Sequence, residues 1–251
     1  MVITIDGQEV YYEVHGEGPP LLMLHGWGSH LNNFSALIDV YKSRYKIYAV
    51  DFPGFGQSPE PKSAFSIYDY ADLTEGFMDA MKIPTPTILA HSFGGRVSLI
   101  IASKRNIPKM ILTGCAGIRP ERSAGYYVKI YGFKAMKVLS KVPLLNLVFK
   151  EMVDDYRTKV GSSDYNAASP IMRQILSKVV AQDLRHHLKD ISASCLLIWG
   201  ELDTATPLED GKIMEKEIPD AGLAVLKKAT HYAFLEQHQQ FVTIMNKFLE
   251  E

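Results

Sequence analysis

The sequence predicts an α/β fold with a mostly parallel central sheet flanked by helices and an all-helical segment inserted late in the chain. Three observations carry this. Short apolar runs of strand length alternate with segments whose apolar residues recur at three- and four-residue spacing. The alternation stops between about residues 116 and 190 and then resumes. Ala90-His91-Ser92-Phe93-Gly94-Gly95 sets a serine between a strand-like run and a helix-like run.

Taken in order, Val2 to Ile5 and Val10 to Val14 are alternating stretches joined around Asp6-Gly7, the pattern of a β-hairpin. Leu21 to Leu24 reads as a strand, Phe34, Leu37, Ile38 and Tyr41 as a helical face, and Ile47 to Val50 as the next strand. Ser66 is placed to cap a helix that buries Ile67, Tyr70, Ala71, Thr74, Phe77, Met78 and Met81. Thr87 to Ala90 is a strand, Val97, Ile100 and Ile101 mark a helix, and Met110 to Leu112 is the sixth strand. The segment 116–190 shows helical spacing in Tyr127, Ile130, Tyr131, Met136 and Leu139, again in Leu144 to Val153, and again in Ile171, Ile175, Leu176 and Val179. Leu196 to Trp199 then reads as strand, Leu208 to Lys216 as helix, Leu223 to Leu226 as strand, and Phe241, Ile244, Met245, Phe248 and Leu249 as the inner face of a last helix. Strands separated by helices imply parallel pairing with both sheet faces covered. The expected division is a core of residues 1–115 and 191–251 and a helical cap of 116–190.

Composition narrows the classes of function. A chain of 251 residues can bury one large core. A formal net charge of −1 argues against nucleic acid as a partner. Cys115 and Cys195 are far apart in apolar surroundings, which predicts neither a disulfide framework nor a metal site and favours a reducing compartment. Nothing approaches the roughly 18 apolar residues of a membrane span, and Met1 to Asp6 has no signal pattern, so a cytoplasmic protein without a membrane span is expected. The oligomeric state, monomer or homodimer, is left open. Charge is uneven: 116–190 holds 13 Lys and Arg against 7 Asp and Glu, leaving 14 against 21 elsewhere. Lys129, Lys134, Lys137 and Lys141 fit solvated helix faces, or a lid that attracts anionic substrates.

The serine turn carries the chemistry. Four residues, His91 to Gly94, must reverse the chain from strand to helix, and small residues at Ala90 and Gly94 relieve the collision such a turn creates. Here the chain resembles the α/β-hydrolase family, whose nucleophile elbow is written G-x-S-x-G; Ala90 stands at the first glycine. Ser92 is then the implied nucleophile, which needs a base and an acid to orient that base. Gly200-Glu201-Leu202-Asp203 and Pro207 fit the family's acid loop after a strand, and His231 follows the last strand, in the family's order after Ser92 and Asp203. Glu201 and Asp210 are the rival carboxylates; Asp210 falls within the helix after Pro207.

His25-Gly26-Trp27-Gly28 resembles the family's H-G-x-G loop, so the backbone N–H groups of Trp27 and Phe93 are the implied oxyanion donors. Their side chains are free to shape the acyl side of the pocket. Asp51-Phe52-Pro53-Gly54-Phe55-Gly56-Gln57-Ser58 matches a further family loop, read as a structural brace and not as a nucleotide loop. No cofactor is implied. Further candidate substrate contacts are His25, His91, Arg96 and Tyr232.

The resemblance implies a serine hydrolase acting through an acyl-enzyme on a small-molecule carboxylic ester, or on a related acyl or carbon–carbon substrate. Serine at 92 excludes the aspartate-nucleophile branches. Arg96, four residues after Ser92, supports an alternative similar to SHCHC synthase, a lyase of this fold, in which Arg96 and one of Arg119, Arg122, Arg157, Arg173 or Arg185 clamp a carboxylate. A non-catalytic ligand-binding module is the remaining alternative.

Overall fold

A computed structural model of the protein describes residues 1–119, 132, 140 and 163–250. Eight strands form one sheet in the order β1-β2-β4-β3-β5-β6-β7-β8. They are β1 Val2–Ile5, β2 Gln8–His15, β3 Pro20–Leu24, β4 Lys46–Val50, β5 Thr87–His91, β6 Lys109–Thr113, β7 Ser194–Gly200 and β8 Ala221–Leu226. β2 is antiparallel to β1 and β4, and every pairing from β4 to β8 is parallel. The hairpin turns at Asp6 and Gly7, both with positive φ (48° and 80°), as a two-residue turn of the right hand requires.

The described helices are α1 Ser35–Tyr41, α2 Ile67–Ala80, α3 Phe93–Lys104, α4 Ser163–Ala167, α5 Pro170–Ala181, α6 Leu208–Glu217, α7 Ala233–Glu236 and α8 His238–Glu250, with 3₁₀ turns at Leu31–Phe34 and Arg185–Asp190. Ser66 does cap α2: its hydroxyl accepts from the Asp69 N–H while the Asp69 carboxylate accepts from the Ser66 N–H, so two orphan donors at the helix start are satisfied together. The helices expected at Tyr127 to Leu139, Gly132 apart, and at Leu144 to Val153, and the four lysines 129, 134, 137 and 141, lie outside the described residues. The third predicted insertion helix is α5, where Met172, Ile175 and Val179 are buried at helical spacing.

Strand alternation divides the core. Leu21, Met23, Ile47, Ala49, Leu89, Ile111 and Ile198 point to one face, where they meet Leu37, Ile38 and Tyr41 of α1 and Phe241 and Met245 of α8. Leu22, Leu24, Ile88, Ala90, Met110, Leu112 and Leu197 point to the other and are equally buried. Central strands that are apolar on both faces explain why they read as continuous runs in the sequence. Burying each large side chain is worth about 1.5–3 kcal/mol.

The chain forms two compact units, residues 1–119 with 177–251, and residues 120–176. Within the second, Arg173 donates from Nε to the Tyr165 carbonyl (2.9 Å) and from Nη2 to the Asn166 carbonyl (2.8 Å), so a guanidinium closes the C-terminal end of α4. No helix among the described residues is long and apolar enough to cross a membrane.

Candidate active site

Ser92 sits between β5 and α3 at φ 49°, ψ −106°, a conformation that few non-glycine residues adopt. The surrounding chain holds it there. The Ser92 N–H donates to the Thr113 carbonyl (3.1 Å), the Ser92 carbonyl accepts from Ala116 (3.1 Å) and Gly95 (3.0 Å), and the Gly94 N–H donates to the His25 carbonyl (3.0 Å). A Cβ on Gly94 would lie 2.2 Å from the Leu24 carbonyl oxygen, and one on Gly95 would lie 2.3 Å from Cys115 Sγ. These glycines let α3 start directly against β3 and β6.

The carboxyl ends of β7 and β8 bring up the other two groups. His231 Nδ1 lies 2.8 Å from Asp203 Oδ2, and Asp203 is buried. A carboxylate accepts and does not donate, so Nδ1 carries the hydrogen and Nε2 presents its lone pair. Asp203 Oδ1 accepts from the N–H groups of Ala205 and Thr206 (both 2.9 Å), and Oδ2 also accepts from the Thr206 hydroxyl (2.8 Å). Burial raises the Asp203 carboxyl, but His231 and the Thr206 donors outweigh it and hold the group below the usual carboxylate range. Gly114, φ +50°, gives these atoms room: a Cβ there would meet His231 Nδ1 at 3.1 Å and Asp203 Oδ2 at 3.2 Å.

Neither rival carboxylate approaches His231 in this way. Glu201 is exposed and accepts from the Lys228 N–H (3.0 Å). Asp210, in α6, is pushed up to about 6 by burial and by the charge of Asp203. Among the described residues no hydrogen bond joins Ser92 Oγ to His231.

The loop His25 to Gly28 runs beside the elbow. A Cβ on Gly26 would fall 2.7 Å from His91 Nδ1 and 3.4 Å from Ser92 Cβ. Neither the Trp27 N–H nor the Phe93 N–H meets an acceptor among the described residues. The Trp27 ring meets Phe55 (4.8 Å between centroids) and Phe93 (5.6 Å) edge to face, and Phe93 in turn meets Phe52 (5.2 Å) and Tyr70 (5.0 Å). The loop after β4 braces this wall. Asp51 accepts from the N–H groups of Leu31 (2.7 Å) and Gln57 (2.9 Å), and Gly56, φ +55°, brings its backbone where a Cβ would lie 2.0 Å from Asp51 Oδ2.

The four expected substrate contacts divide. Tyr232 is 36% exposed, with its ring 5.5 Å from that of His231. His25, His91 and Arg96 are only 1%, 1% and 6% exposed. His25 Nδ1 donates to the Gly26 carbonyl (2.7 Å) and Nε2 accepts from the Phe52 N–H (3.0 Å), tying the two loops together. His91 Nε2 meets the His231 carbonyl (3.0 Å). Arg96 Nη1 donates to the carbonyls of Val179 (3.1 Å) and Gln182 (2.9 Å) at the end of α5, the position of a C-terminal helix cap. Of the suggested partners of Arg96, Arg119 is exposed, Arg173 closes α4, Arg185 pairs with Glu217, and Arg122 and Arg157 lie outside the described residues. Thr206 escaped the sequence reading, since a threonine three residues after an acid gives no local signal of where its hydroxyl turns.

A strained serine between parallel strand and helix, with an Asp–His pair on the next strand ends, is accompanied by kinship of the same kind. The sequence pattern of the α/β hydrolase fold matches residues 19–128. The chain has the α/β-hydrolase fold. It is 28% identical to the uncharacterised hydrolase YugF of Bacillus subtilis, over 91% of the chain and 89% of that protein. It is 26% identical to a pimeloyl-[acyl-carrier protein] methyl ester esterase of Legionella pneumophila, over 96% of the chain and 99% of that protein. Among solved structures, the esterase EaEST of Exiguobacterium antarcticum superposes with a TM-score of 0.76 at 23% identity, covering 100% of this chain and 98% of that one.

Proposed function

We propose that this α/β hydrolase is a serine esterase for small-molecule carboxylic esters, with Ser92 as nucleophile, His231 as base and Asp203 as orienting acid. The observation that carries the reading is the His231–Asp203 contact of 2.8 Å on strand ends beside a serine held at positive φ. His231 Nε2 takes the Ser92 proton as Oγ attacks the ester carbonyl. The backbone N–H groups of Trp27 and Phe93 stabilise the resulting oxyanion. Collapse expels the alcohol, which receives the proton from His231 and leaves an acyl-Ser92. Water, deprotonated by the same Nε2, attacks the acyl carbon and releases the acid.

The segment 116–190 is the proposed cap. The methyl ester of an acyl-carrier-bound chain, the substrate printed in one relative's name, belongs to the same reaction class. The lyase reading loses its main support because Arg96 Nη1 is committed to two carbonyls. A panel of p-nitrophenyl esters of increasing chain length, run beside a dienone-type carbon–carbon substrate, tests the proposal. Ester turnover with a pre-steady-state burst is expected; turnover of the dienone alone would refute it.

A further inference from the structure

The Thr206 hydroxyl lies at the junction of three strand ends. Its Oγ1 is 2.8 Å from Asp203 Oδ2, 3.0 Å from the Gly114 carbonyl oxygen and 3.3 Å from His231 Nδ1. Thr206 is buried, and its backbone is anchored by Trp199, whose Nε1–H donates to the Thr206 carbonyl at 2.8 Å. One hydroxyl proton faces two acceptors. If it pointed only at Gly114, the Thr206 oxygen would set a lone pair against an ionised carboxylate oxygen at 2.8 Å. The proton therefore favours Asp203 Oδ2, with Gly114 as the weaker branch, because hydrogen bonds to charged acceptors are the stronger ones.

We infer that Thr206 is a positioning residue for the Asp203–His231 pair, spending its hydroxyl proton on the same carboxylate oxygen that receives the imidazole N–H. This inference rests on the proposed triad. Two consequences follow from the sharing. The carboxylate is pinned on both sides, so its direction toward Nδ1 does not depend on His231 alone. Part of the charge on Oδ2 is also taken up by Thr206, so removing the hydroxyl leaves Oδ2 with more charge to share with an imidazolium. The other titratable groups facing the pair are His91, from β5, and Asp210, from α6. Neither changes in the substitutions below.

Thr206→Val tests the idea, because it removes the hydroxyl, preserves the shape and keeps the backbone N–H that Asp203 Oδ1 accepts. With p-nitrophenyl acetate, kcat is expected to fall by roughly ten- to a hundredfold with KM little changed. The acid limb of the kcat/KM profile should move to higher pH, and Thr206→Ser should restore both. An unmoved acid limb in Thr206→Val, whatever its rate or melting temperature, overturns the inference. If the valine variant fails to fold, Thr206→Ser against Thr206→Ala makes the same comparison, differing only in the hydroxyl. Ser92→Ala is assayed alongside: if it remains active, the triad itself fails, whereas an inactive Ser92→Ala beside an unmoved acid limb rejects only the role of Thr206.

Discussion

His91 Nε2 lies 3.0 Å from the backbone carbonyl oxygen of His231, a contact between residues 140 positions apart. A carbonyl can only accept, so Nε2 carries the hydrogen, and the residue before the elbow serine grips the loop that presents the candidate base. The two rings also meet at a tilt of 50°, with centroids 4.7 Å apart. The serine and the histidine loop are thus mechanically joined without any direct bond between their reacting atoms.

Ser92→Ala should abolish ester turnover, with a loss of about 10³-fold or more in kcat, because it removes the oxygen that forms the proposed acyl-enzyme. The fold should survive, since alanine is smaller. A fluorophosphonate probe followed by mass spectrometry should label wild type at Ser92 and leave the variant unlabelled.

Asp203→Asn should lower kcat by about 10²–10⁴-fold, because the amide can present a donor to Nδ1 and favour the wrong tautomer. Glu201→Gln should stay within about twofold, as its carboxylate meets only the Lys228 N–H on the surface. Parallel steady-state assays decide between the two, and a larger loss for Glu201→Gln would reassign the acid.

Arg96→Ala should slow neutral and anionic esters equally. It removes the donor to the Val179 and Gln182 carbonyls and should lower stability by about 1–3 kcal/mol. Thermal melting and a matched substrate pair measure both effects. A loss confined to anionic substrates would restore the carboxylate clamp.

Acid should destabilise the protein before most of its carboxylates protonate, with Asp210, raised to about 6, acting in the opposite direction. Burial pushes His25 down from 6.5 to about 4, and burial with the neighbouring His231 pushes His91 down to about 3. Both folded-state values lie below the unfolded one, so the stability they contribute is complete above about pH 6.5 and is lost as pH falls toward those values. Each adds a slope of about 1.4 kcal/mol per pH unit in that window. His91→Gln, which retains a donor for the His231 carbonyl, should lower the slope by about 1.4 kcal/mol per pH unit between pH 6 and 4.5 in denaturant titrations. An unchanged slope would show that His91 does not stay neutral in the folded protein.

Much of this arrangement is legible along the chain, for a topological reason. Parallel strands all end at the same edge of the sheet, so residues just past β3, β5, β7 and β8 converge without any knowledge of side-chain packing. That rule alone gathers Trp27, Ser92, Asp203 and His231 at one edge. The capped start of α2 and the hairpin at Asp6-Gly7 are likewise local, set by neighbouring residues.

Side-chain direction is not local, and there the sequence is silent. Asp203, Glu201 and Asp210 are equivalent carboxylates on paper; only the turn that sends Asp203 inward under Gly114 separates them. Arg96 reads as a clamp until the end of α5 arrives from more than eighty residues away and takes its donor. Thr206 becomes visible only once Gly114, Asp203 and His231 surround it. The order of strands and loops determined which residues share an edge, because parallel topology repeats. Burial and hydrogen-bond partners were decided by tertiary structure, because a polar atom taken out of water must find an acceptor or donor that a distant segment supplies.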